Sequence, residues 1–108
     1  MSSDPTTPTR PAVRERFDRL AAQWREESQY MSNTGQMTLL KSYLGIIGIG
    51  EPAVPLLLEE LKRDPDYWFR ALEAITLEDP VPPEDKGRLD RMAAAWIDWG
   101  VRSGHLAS

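Results

Sequence analysis

Few side chains in this 108-residue sequence can do covalent or acid–base chemistry. There is no cysteine, and His105 is the single histidine. Without thiols the chain forms no disulfide, zinc ribbon, iron–sulfur cluster or cysteine nucleophile. A hydroxyl nucleophile needs a base and a group that orients the base. The serines have one imidazole to work with, and it falls in residues 103–108, which are expected to fray. Two carboxylate pairs remain. Glu59 and Glu60 are neighbours on a solvated helix face, and Asp64 and Asp66 flank Pro65 in a turn where helix capping accounts for them. No acidic calcium loop and no His pair at helical spacing is present. Gly45, Gly48 and Gly50 lack the order of a dinucleotide-binding turn, and no strand precedes them. The expectation is a protein with no catalytic, cofactor or metal site.

Charge narrows the partners. The net charge is −4, a poor match to nucleic-acid phosphates. The first 25 residues carry five arginines against Asp4, Glu15 and Asp18, so their balance is +2, while the remainder carries −6. On the last helical segment Lys86, Arg88, Arg91 and Arg102 alternate with Glu84, Asp85, Asp90 and Asp98, which leaves no basic stripe. A small helical DNA-binding regulator is the alternative reading, with the first or last helix as its contact, and direct nucleic-acid binding is disfavoured. No apolar run approaches the ~18 residues of a membrane span, and the first residues lack a signal-peptide core. The expected location is cytoplasmic, with no membrane partner.

Surface aromatics remain. Four tryptophans are an unusual load for a chain of this size. Successive helix residues turn by about 100°, so Tyr67, Trp68 and Phe69 cannot all point inward. Aromatic and Arg side chains dominate binding hot spots. The candidate partner-binding residues are Leu56, Tyr67, Phe69, Arg70 and Trp99, whereas Trp24, Trp68 and Trp96 fall on inner faces.

The elements that would position these residues are helices. Residues 1–9 read as a disordered tail, 10–102 as a single helical domain and 103–108 as a frayed end. A first helix over about 10–28 carries Val13, Phe17, Leu20, Ala21 and Trp24 on one face. A second over about 36–47 has the stripe Leu40, Tyr43, Leu44 and Ile47, widened by Leu39 and Ile46, and ends at Gly48 and Gly50. A third over about 52–63 faces inward with Val54, Leu57, Leu58 and Leu61. A fourth over about 67–77 does so with Trp68, Ala71, Leu72 and Ile75. A fifth over about 84–101 uses Leu89, Met92, Ala93, Trp96, Ile97 and Gly100. The spacing supports no strand.

Displaced by 28 residues, the chain partly matches itself. Leu40 falls on Trp68, Leu44 on Leu72, Ile47 on Ile75, and Glu51-Pro52 on Asp79-Pro80. A helix, an acidic-Pro turn and a second helix used twice is the pattern of a stacked α-solenoid. The run Ile46-Ile47-Gly48-Ile49-Gly50-Glu51-Pro52-Ala53-Val54-Pro55-Leu56-Leu57-Leu58-Glu59-Glu60-Leu61 resembles the hairpin of a HEAT repeat, and Asp64-Pro65-Asp66-Tyr67-Trp68-Phe69-Arg70-Ala71-Leu72 resembles the start of the next. The period is shorter than the ~40–47 residues usual for such repeats. The overall layout is also similar to that of small bacterial proteins of uncharacterised type. The resemblance implies an all-α protein of about five helices, two stacked HEAT-like hairpins behind an N-terminal capping helix. It implies function through a surface: a non-catalytic protein–protein interaction module, an adaptor or regulatory subunit. An antitoxin or immunity-type inhibitor, or a mobile-element accessory protein, fits the size and charge. The open ends of a two-repeat stack make a homodimer a further expected partner.

Overall fold

Val13, Phe17, Ala21, Trp24 and Ser28 recur at spacings of four, four, three and four, and all five are buried along α1 (Arg10–Ser28). Apart from half-buried Leu20, the other residues from 11 to 27 face water. The computed structural model describes residues 10–63 and 68–107. The tail expected over 1–9 lies outside the described residues, as do residues 64–67 and Ser108.

After α1 come α2 (Thr34–Met37), α3 (Lys41–Ile49), α4 (Val54–Arg63), α5 (Phe69–Thr76) and α6 (Leu89–Arg102), with short 3-10 turns at Glu51–Ala53 and Pro83–Asp85. Among the described residues the protein is all-α, with no strand. α1 packs on α3, α3 on α5 and α4 on α6, so the second pair of helices lies against the first. The backbone N–H of Ala71 donates to Tyr43 Oη at 2.9 Å across the α3–α5 contact. These two residues stand 28 apart, the offset at which the sequence matches itself.

The core is an aromatic cluster under α1. Tyr43 stacks on Trp68 with ring centroids 5.6 Å apart and planes 6° from parallel. Trp24 tilts against Trp68 at 4.8 Å, and Phe17 closes the far side at 6.2 Å. The Arg25 guanidinium lies 5.9 Å above the Trp68 ring and pairs with Glu60, which also binds Arg63 at 3.2 Å. Trp24, Trp68 and Trp96 are all buried, as their helical positions require.

The second helix departs from its expected course. It breaks at residues 38–40, because the indole N–H of Trp24 donates to the Met37 carbonyl at 2.8 Å and Leu40 takes an extended conformation. Asn33 Oδ1 caps the short α2 by accepting the Gln36 N–H. The expected inner stripe of α3 is also rotated. Ile46 is fully buried, whereas Leu44 is 46% exposed. α3 is held between α1 and α5, and Lys41, Leu44 and Gly48 form the line left outside. Leu89, placed on the inner face of the last helix, is likewise exposed, since α6 begins there and its buried stripe starts at Ala93.

Helix ends show two solutions to one problem. α3 stops at Gly50 with φ +82°, a left-handed geometry that costs glycine little. α5 stops at Leu77 with φ 59° and ψ 28°, where a side chain is strained. α6 closes with the 6→1 and 5→2 bonds of a Schellman motif: His105 N–H to Gly100 O at 2.8 Å and Gly104 N–H to Val101 O at 3.2 Å. Residues 103–107, expected to fray, instead fold back on α6, and Leu106 is buried.

Candidate functional site

The α4 entrance carries Pro52 and Pro55, two residues without a backbone N–H at the turn where a helix normally offers unpaired donors. The surface there is therefore apolar and poor in donors. Three segments enclose it as a groove of about 740 Å³: Pro11, Val13 and Arg14 from α1, Pro52, Pro55 and Leu56 from the α4 entrance, and His105 from the segment after α6. Arg14 is the one arginine in this lining, with its Nε 3.6 Å from Asp18 and its side chain half exposed.

His105 forms the groove's end wall and is held on three sides. Nδ1 lies 2.7 Å from Ser103 Oγ, and Nε2 lies 3.1 Å from Glu51 Oε1. The ring stacks on Trp99, with centroids 5.0 Å apart and an angle of 18°, and Trp99 sits edge-on to Trp96 at 5.3 Å. Two protonation states satisfy this geometry. In the neutral ring Ser103 donates to Nδ1 and Nε2–H donates to Glu51. In the imidazolium both nitrogens donate, and the Ser103 hydroxyl turns to Gly100 O, 3.3 Å away.

A serine, an imidazole and a carboxylate in a hydrogen-bonded line have the makings of a nucleophilic relay. Stabilising the resulting oxyanion needs N–H donors aimed beside the serine. Here the N–H groups of Ser103, Gly104, His105 and Leu106 donate to Trp99 O, Val101 O and, for the last two, Gly100 O. The hydrogen bonds tie the segment after α6 to the Glu51 turn.

The structure divides the five expected contact residues. Leu56 lines the groove, and Trp99 meets it through the stacked His105 ring. Arg70 is exposed on α5, on the other helix pair. Phe69, expected at the surface, is 7% exposed and belongs to the hydrophobic core. Tyr67 lies outside the described residues. His105, Pro52, Pro55 and Arg14 were not anticipated as site residues. Gly104 followed by His105-Leu106 was the available signal, a left-handed helix stop with an apolar residue beyond it.

Two smaller grooves lie elsewhere on the surface. One of about 470 Å³ lies across Val13, between Arg16 and Arg19 of α1 and Gly48 and Ile49 of α3. The other, about 460 Å³, is bordered by charges already paired, Arg91 with Asp85 and Arg102 with Asp98. Among the described residues, no three His, Asp or Glu side chains gather as a metal ion would require, and no helix is long and apolar enough to cross a membrane. Fold and site define a small all-helical protein with an apolar surface groove. No family model, curated protein or solved structure matches the chain.

Proposed function

We propose that this chain is a non-catalytic, cytoplasmic protein–protein interaction module, an adaptor or regulatory subunit that seats a partner segment in the groove beside Leu56. The observation that carries this reading is the groove itself. Prolines and aliphatic groups form its floor, three separate segments build it, and Trp99 and Glu51 hold its end wall in place. Mostly apolar concavities with a few polar groups at their border are the usual form of a ligand or side-chain site. The HEAT-like reading is supported by α3 packing on α5, α4 packing on α6, and the Tyr43–Ala71 bond at the repeat offset.

Affinity capture from the native host, with mass spectrometry, tests the proposal. The wild type and Leu56→Glu serve as baits, each checked for helical circular dichroism and cooperative unfolding. The expected result is a partner retained by the wild type and lost from Leu56→Glu. Equal retention by both baits overturns the groove as the docking face. Salt-dependent duplex binding at sub-micromolar concentration would point instead to the DNA-binding alternative.

A further inference from the structure

We propose that residues 105–107 act as a strap that opens as a unit about Gly104 while the helices stay folded. Opening removes the end wall of the groove and lays bare the face of Trp99. The inference does not depend on what docks in the groove.

The polar attachments of the strap are to the last turn of α6 or to an exposed group, and its apolar attachment reaches Leu58 of α4. His105 N–H and Leu106 N–H both donate to one acceptor, the Gly100 carbonyl, so the two bonds are lost together. The imidazole bonds to Ser103, at the end of α6, and to Glu51, whose side chain is 64% exposed. Leu106 is the one apolar anchor. It fills the notch left by the missing side chain of Gly100, where its own Cδ1 and that of Leu58 converge. Nothing in the α6 ladder needs the strap to persist, because the final helical bond, Ser103 N–H to Trp99 O at 2.8 Å, lies before the hinge. Gly104 sits at φ +85°, where a residue without Cβ changes backbone state at least cost.

What the strap covers is continuous with the groove. One face of the Trp99 ring is stacked under His105, and His105 lines the same groove as Leu56. With the strap lifted, the indole face, the notch at Gly100 and the groove floor form one apolar surface. Closed, it is occupied in cis by His105 and Leu106. Open, it accepts a partner segment presenting a flat ring and an aliphatic side chain, the chemistry of the two residues it now holds.

Native-state hydrogen exchange on the full chain, at several sub-denaturing urea concentrations, tests this. A local opening exposes little surface, so its exchange depends weakly on denaturant. The amides of His105 and Leu106 should exchange at least about tenfold faster than those of Ala93 and Trp96, with a nearly flat urea dependence. In Leu106→Ala, acrylamide should quench more of the tryptophan emission while helical circular dichroism stays at the wild-type level. If the His105 and Leu106 amides share the rate and urea slope of Ala93 and Trp96, the segment opens only with global unfolding and the proposal fails.

Discussion

Adding one methyl group at position 100 should destabilise this protein, although alanine is the better helix former. A Cβ on Gly100 would stand 2.6 Å from Leu58 Cδ1 and 3.2 Å from Leu106 Cδ1. Leu58 is fully buried, so it has no free space into which to turn. The available relief is for α6 to shift off α4 or for Leu106 to leave its notch. Overpacking of a tight core typically costs ~1–3 kcal/mol, and expelling a buried leucine costs a similar ~1.5–3 kcal/mol. Against this stands a helix-propensity gain of about 1 kcal/mol for Gly→Ala. The net expectation for Gly100→Ala is a loss of about 1 kcal/mol, which for a domain of this size lowers Tm by roughly 4–6 °C. Gly48→Ala is the matched control. Gly48 also lies within a helix, and a Cβ there meets nothing within 4 Å. It should gain up to about 1 kcal/mol from propensity alone. Urea denaturation of both variants, with the slope checked for constancy, reads the contrast. A Gly100→Ala variant as stable as Gly48→Ala would refute the close approach of α6 to α4.

Three further outcomes follow from particular contacts. Leu77→Gly should raise stability by about 1 kcal/mol, since it removes a side chain held at φ 59° while giving up little burial at 87% exposure; thermal melting reads this, and an unchanged or lower Tm would show that Leu77 is not strained. Tyr43→Phe keeps the stack on Trp68 but strands the buried Ala71 N–H, for an expected loss of about 1–3 kcal/mol by chemical denaturation; a neutral result would mean the N–H finds another acceptor. The hydrogen bond from Lys86 holds the Asp79 carboxyl below its usual range, so its small, solvent-screened contribution to stability is present above the ordinary carboxylate range and disappears as pH falls through the lowered pKa. In Lys86→Met the Asp79 titration followed by NMR should move upward, and an unmoved curve would remove that pairing.

Helix periodicity made much of the fold legible. The α1 stripe, the three buried tryptophans and the stop at Gly50 follow from spacing and glycine chemistry. Spacing could not settle which side of a nearly all-apolar helix faces out. Leu44 and Ile46 are equally apolar, and only the placement of α3 between α1 and α5 exposes the former. Nor could it show that the Trp24 indole would take the Met37 carbonyl and break a helix. Leu56 and Trp99 were chosen as surface residues, and both belong to the His105 region. His105 falls in residues 103–108, which read from sequence as a fraying end. What retains the segment is long-range: Glu51 is 54 residues away in sequence, and the Leu106 notch depends on Leu58.

The direct test of groove-mediated function is quantitative capture with three baits: the wild type, Leu56→Glu in the groove and Arg70→Glu on the exposed face of α5. The account predicts that Arg70→Glu recovers the same partner as the wild type at the same level, and that Leu56→Glu loses it at least about tenfold, the scale of a hot-spot change above ~1.4 kcal/mol. Retention by Leu56→Glu together with loss from Arg70→Glu would contradict it, moving the docking face to α5.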